Sequence, residues 1–143
     1  MKLFVSSKIS VPLIGFCAVL LVGTGSAVAD FTFGEPVNLG PTVNSSYWEA
    51  HPYISADGLS LYFGSQRPGG SGDYDLWVTR RATIEDDWEI PANLGPTVNS
   101  SSDDFGPDVS PDGLILHFAS DRPGGYGSYD LWVTSRATLD DDW

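Results

Sequence analysis

The chain has one cysteine, one methionine and two lysines, and all four lie within its first 17 residues. No disulfide can form within one chain, so whatever folds is held by packing. Positive charge is scarce beyond that point: Arg67, Arg80, Arg81, Arg122 and Arg136 stand against 19 carboxylates. A nucleic-acid binder needs clustered cations to displace counterions from phosphates, and a peripheral membrane protein needs a basic surface, so both partner classes are disfavoured. Helical periodicity is missing too, which leaves short alternating runs as the structural signal.

The one long apolar run, Val11 to Val22, reads as part of a leader. Lys2 and Lys8 make its basic start, and Ala27, Val28 and Ala29 form a small-x-small cleavage site. The run falls short of the roughly 20 residues a spanning helix needs. Residues 1–29 are therefore expected to be a signal peptide cleaved after Ala29, leaving a secreted or periplasmic chain that does not insert into a membrane. Cys17 follows Phe16 where lipoprotein processing wants a small residue, so no lipid anchor is expected there. Without the leader the charge is −14, five arginines against 19 carboxylates. That acidity favours solubility and, among ions, divalent cations.

What the chain has in abundance is repetition. Residues 36–88 and 91–143 align without a gap at an offset of 55, and 35 of the 53 positions are identical. Residues 30–143 thus read as two tandem repeats of 55 residues, about 33–88 and 89–143. A unit of this kind buries its apolar face by stacking on a neighbour.

Within one repeat, Leu59, Leu61 and Phe63 alternate with Ser60 and Tyr62, and the copy keeps Leu114, Leu116 and Phe118 while changing the intervening residues to Ile115 and His117. Period two means a strand, and the unchanged face is expected to be the packed one. Tyr53 to Ser55 precede it as a shorter strand, joined through Asp57 and Gly58, whose side-chain bonding and positive φ suit a hairpin turn. The segment after Phe63 is rich in proline and glycine and reads as a loop, then Tyr74 to Thr79 resume the alternation as a third strand. Pro91 to Leu94 make a short fourth strand whose proline suits an edge. The fold class is therefore all-β, built of four-stranded antiparallel units. Tandem units of this kind point to β-propeller blades; a β-solenoid or a pair of sandwiches are the alternatives.

Two stretches carry a resemblance. Pro52-x-Ile-Ser-x-Asp-Gly-x-x-Leu-x-Phe-x-Ser-x-Arg67 followed by Asp75-Leu-Trp-Val, and its copy from Pro107 to Arg122, resemble the WD40-like propeller repeat of the TolB and tricorn-protease type. The resemblance covers nearly all of the chain after the leader and implies the propeller fold. It implies little about function, since such propellers serve as binding platforms, as substrate-gating domains of peptidases and as partners in envelope assemblies. Its motif residues are structural and bring no catalytic residue with them. Propellers close with roughly four to eight blades, so two repeats imply an incomplete ring: part of a longer array, or a homo-oligomer such as three two-blade chains making six blades. Phe33 to Gly40 is expected to be an orphan fourth strand, and the second unit to lack its own.

The longest unbroken run of differences between the copies lies along one rim. Tyr47, Trp48, Glu49, Ala50 and His51 become Ser102, Asp103, Asp104, Phe105 and Gly106, and Ser71 and Asp73 become Tyr126 and Ser128. Trp48, Glu49, His51, Asp103, Asp104, Phe105 and Tyr126 are therefore the candidate ligand-binding residues, because loops on a rigid scaffold are where function concentrates; drift in solvated loops is the competing account. Carboxylates beside aromatic platforms suit sugar binding or a glycosidase pair. Asp73 and Asp75 form an Asp-x-Asp that is a weak calcium candidate. Asp57, Gly58, Arg67, Asp75 and Trp77, with Asp112, Gly113, Arg122, Asp130 and Trp132, recur in both copies and read as blade structure. His51 and His117 occupy different repeat positions and have no motif partners, so no catalytic residue and no cofactor is assigned. The expected function is a non-enzymatic platform for a protein or carbohydrate partner. The alternative is the propeller portion of a carbohydrate-active or peptidase-associated enzyme.

Overall fold

The described residues form seven strands in two antiparallel sheets. The computed structural model describes residues 34–143; the signal peptide, its cleavage after Ala29 and the start of the first repeat at residue 33 lie outside the described residues. The first sheet joins β1 (Glu49–Ile54), β2 (Ser60–Ser65), β3 (Asp75–Arg80) and β4 (Ala92–Asn93) in chain order, and the second joins β5 (Asp104–Val109), β6 (Ile115–Ser120) and β7 (Asp130–Ser135). No helix among the described residues is long and apolar enough to cross a membrane.

The hairpin turns form as their residues require. Gly58 and Gly113 sit at φ 74° and 73°. Asp57 Oδ1 accepts from the Leu59 N–H (2.9 Å) and the Ser55 hydroxyl (2.6 Å), and Asp112 does the same with Leu114 (3.1 Å) and Ser110 (2.5 Å). The serine bond, more than any other contact, holds each of these carboxyls below its ordinary pKa.

Three expectations need correction. The first strand starts at Glu49, four residues earlier than the sequence pattern places it. A register shift between Ala50 and Tyr53 interrupts the ladder with β2, so the alternation breaks at Pro52 although pairing continues through Glu49 and Ser65. The same shift lies between Phe105 and Asp108 in the copy. His51 stands at this irregularity with φ 53°, and its counterpart Gly106 with φ 66°. The second correction concerns residues 34–40, which form no strand. Their copy, Ala92–Asn93, is a strand because β3 offers it Trp77 and Val78 as ladder partners; no equivalent of β3 precedes residue 40 among the described residues. Third, the variable face of β2 is not a free surface, because Tyr62 is buried along with Leu61 and Phe63.

That burial follows from how the sheets stack. Leu61, Phe63 and Trp77 pack with Val43 and Trp88 on one face of the first sheet. On its other face Tyr62, Leu76 and Val78 meet Val109, Leu116 and Phe118 of the second sheet, with Val98 and Trp143 closing the cluster. Gly64 admits the contact at one end: a Cβ there would lie 3.1 Å from Phe105 Cβ. Tyr53 closes the other by donating its hydroxyl hydrogen to the Val109 carbonyl. The second sheet has no such cover on its outer face, where Ile115, Leu131 and Val133 are exposed.

Candidate functional site

Both rim segments ahead of the first strands are anchored by an arginine clamp. Arg67 Nη2 donates to the Val43 carbonyl (2.5 Å) and to Glu49 Oε1 (3.1 Å), and Nε donates to Ser65 Oγ (3.1 Å). Arg122 repeats this with Val98 (2.5 Å), Asp104 Oδ1 (2.5 Å) and Ser120 Oγ (3.0 Å). Each guanidinium also lies over two rings, Phe63 and Trp77 at 5.0 and 5.3 Å, Phe118 and Trp132 at 4.9 and 5.2 Å. Buried pairing of this sort is costly to break from one side, because the remaining charge is left desolvated.

Glu49 and Asp104, two of the ligand candidates, are therefore consumed by structure. Asp104 is fully buried and also accepts from the Ser100 N–H at 2.6 Å. At Glu49 partial burial pushes the carboxyl up, but hydrogen bonds from Ser45 and Ser65 and the Arg67 charge outweigh it and leave the pKa lowered. The sequence reading separated these residues from Arg67 and Arg122, which lie 18 positions away in each copy; the fold makes them partners.

The remaining rim candidates converge. Trp48, His51, Tyr74, Asp103, Phe105 and Tyr129 line a groove of about 220 Å³ that draws on both repeats. The rings meet edge to face: Trp48 to Tyr74 at 5.4 Å, Tyr74 to Phe105 at 6.2 Å and Phe105 to Tyr129 at 5.1 Å. His51 stacks on Phe105 at 5.2 Å. Such pairs are the preferred geometries of aromatic quadrupoles. Trp48 is 61% exposed in this arrangement.

Backbone contacts between the repeats hold these walls. The Asp104 N–H donates to the Tyr74 carbonyl at 2.8 Å, fixing the first repeat's rim loop against the start of β5. Gly72 lies so close that a Cβ would stand 2.1 Å from the Ser102 carbonyl oxygen. Asp75, buried at the start of β3, accepts from the N–H groups of Ser71 (2.9 Å) and Gly72 (3.3 Å) and shapes the same loop. Burial raises its pKa above the ordinary value, opposed by those two bonds.

Asp103 closes one end of the groove. Its Oδ2 accepts from the Tyr129 hydroxyl at 3.1 Å, and its N–H donates to Asp121 Oδ1 at 3.0 Å. Tyr129's phenol is pushed up by that hydrogen bond first, then by partial desolvation and by the charges of Asp103 and Asp121. Tyr74's is pushed up by desolvation and by Asp103 and Asp73. Both tyrosines thus stay protonated and sit in a negative field.

Tyr126 is fully exposed and stands outside the groove lining, its N–H donating to Asp130 Oδ2 at 2.8 Å. His117 lies on the outer face of the second sheet, apart from His51. Asp73 is exposed beside Tyr74, and Asp75 is occupied by the loop N–H groups. Among the described residues no three acidic, histidine or cysteine side chains gather as a metal-binding group. A wider cleft of about 420 Å³ opens at the opposite end of the sheets, where Asp57, Arg80, Asp112 and Arg136 line it among hairpin residues.

Tyr74 and Tyr129 are the site residues that sequence reasoning missed. They recur at the 55-residue offset and so read as part of the third strand. The signal was available: each directly precedes a buried aspartate or its copy, just outside the strand proper. No family model and no curated protein matches this chain.

Proposed function

We propose that this is an exported, non-enzymatic repeat protein whose two sheets are blades of a WD40-like β-propeller of the TolB and tricorn-protease type, presenting one rim to a protein or carbohydrate partner. The observation that carries this reading is the aromatic groove. It is assembled from both repeats at the end of the sheets where the copies diverge, and its rings remain solvent-accessible although the backbone beneath them is tightly bonded. Rigid support beneath accessible aromatic residues is the usual construction of a recognition surface.

The stacking of the sheets supports the propeller reading. The face of the first sheet that meets the second recurs, at the offset of 55, as the outer face of the second. In the proposed ring that outer face receives a further blade, from a longer array or from another copy of the chain, with three two-blade chains as the simplest six-bladed closure. Cleavage after Ala29 would deliver the protein to the periplasm or the exterior. No cofactor is part of the proposal, and the weak calcium candidate at Asp73 and Asp75 has no part in it.

The test is a screen of the exported chain against peptide and glycan arrays, with Trp48→Ala as the control. Retained ligands that are lost from the variant, with its melting transition unchanged, are the expected result. Turnover of aryl glycosides or peptides that vanished in Asp103→Asn would overturn the non-enzymatic reading in favour of the enzyme-associated alternative.

A further inference from the structure

Resting on that platform reading, we infer that the groove lined by Trp48, Tyr74, Phe105, Tyr129 and Asp103 receives a cationic side chain, lysine above all, from a basic segment of a partner protein. Shape and charge argue for this together. Aromatic faces a few ångströms apart attract a cation through their quadrupoles, most strongly where a tryptophan contributes. Here four rings stand in sequence with neighbouring centroids 5.1 to 6.2 Å apart. An extended alkyl stem carrying a terminal charge fits such an open groove, because its methylenes cover ring surface while the ammonium reaches the far end.

That end holds a carboxylate. Asp103 Oδ2 is held by Tyr129, while Oδ1 has no hydrogen-bond partner among the described residues. Asp121 bonds the Asp103 backbone and Asp73 adjoins Tyr74, so three carboxylates surround the rings.

Among the described residues no arginine is placed to neutralise this negative field. Arg67 and Arg122 are spent in the clamps, and Arg81 and Arg136 donate to Gly58 and Gly113 at the hairpin end while each lies 4.4 Å over a tryptophan. Arg80 ends β3 whereas Tyr74 precedes it, so the two are roughly 20 Å apart at ~3.3 Å per strand residue. A neutral sugar would gain from the rings and nothing from this field. A small organic cation would gain only from the groove. A basic protein segment also gains from the 19 carboxylates that stand against five arginines after residue 29.

The experiment titrates the full exported chain with a short lysine-rich peptide, its fully acetylated form, choline chloride and a neutral oligosaccharide, following heat or peptide anisotropy. We expect the lysine peptide to bind, acetylation to abolish binding, and Trp48→Ala or Tyr74→Ala to weaken it roughly tenfold, the scale of a desolvated cation–aromatic contact. Asp103→Asn should weaken it several-fold, and Glu85→Gln, outside the groove, should leave it unchanged. Trp48 and Asp103 lie at the rim, so a preserved melting transition separates loss of binding from loss of fold. Equal binding of the acetylated peptide, or binding that survives Trp48→Ala, would overturn the inference. Choline bound as tightly as the peptide would overturn the protein segment as occupant. An oligosaccharide bound through Trp48 while neither cation bound would overturn the cation and leave the platform reading standing; no binding by any probe would defeat the inference outright.

Discussion

The two sheets are made of nearly the same sequence and live in different surroundings. Leu76 and Leu131 are counterparts, as are Val78 and Val133, yet the first of each pair is buried (0% and 3% exposed) and the second open (86% and 62%). The first sheet is covered on both faces, the second on one. The difference teaches that the same apolar face of a repeat is buried where another sheet covers it and open where none among the described residues does. Other substitutions between the copies answer to the same asymmetry. Gly64 sits where Phe105 presses on the sheet, and its counterpart on the open face is Ala119. Tyr62 fills the space between the sheets, and its counterpart is the exposed His117.

The comparison is sharpened most by Leu76→Ala set beside Leu131→Ala. Emptying the fully enclosed site should cost about 3 kcal/mol and shift the urea midpoint accordingly, whereas the exposed counterpart should stay within about 0.5 kcal/mol. A comparable cost at Leu131 would break the comparison in favour of the proposed ring, since it would mean that a further blade covers the outer face in solution. Gly72→Ala against Gly127→Ala comes next. A Cβ at 72 would meet the Ser102 carbonyl at 2.1 Å, while at 127 its nearest neighbour lies 3.9 Å away. Thermal melts should place the first about 1–3 kcal/mol below the parent and the second close to it, the range for overpacking at a rigid contact.

A smaller and deliberately equal effect is expected at the hairpins. Ser55→Ala and Ser110→Ala each remove a hydrogen bond to the turn aspartate and one from a backbone N–H, that of Ser60 or Ile115, and should lower the melting temperature modestly and by the same amount. Asp57 and Asp112 have folded pKa values below their unfolded ones, so their contribution is present above the ordinary carboxylate range and is lost as pH falls through the lowered folded values. Stability measured against pH should therefore fall less steeply on acidification in either serine variant. Unequal effects would show that the turns feel the sheet's surroundings after all. The smallest effect is expected for His51→Gly, which gives the left-handed position the residue its counterpart Gly106 already has. Relief of the backbone should offset the added chain entropy, leaving stability within about 0.5 kcal/mol, while the loss of a stacked wall weakens ligand binding.

How far the sequence reached depended on how local each feature is. The three main strands of each repeat and the Asp-Gly turns were legible because alternation and turn chemistry act over a few residues. The start of β1 was hidden because an irregular register at His51 and Pro52 breaks the period exploited to find strands. Residues 36–40 copy those around β4 and still form no strand, because a strand exists only where a ladder partner does. At the rim, the contrast between copies pointed to Trp48, His51, Asp103 and Phe105. It also drew in Glu49 and Asp104, whose arginine partners lie 18 residues away, and passed over Tyr74 and Tyr129 because they do not vary.

By itself the sequence determined the all-β class, the repeat period, the hairpin turns and the acidity, since these follow from neighbouring residues and from sums over the chain. Only the tertiary structure decided which face of each sheet is covered, which carboxylates are spent on arginines and which rings gather into a groove. Those outcomes depend on contacts between residues tens of positions apart, where burial changes the energy of a side chain by kilocalories and identical residues come to different ends.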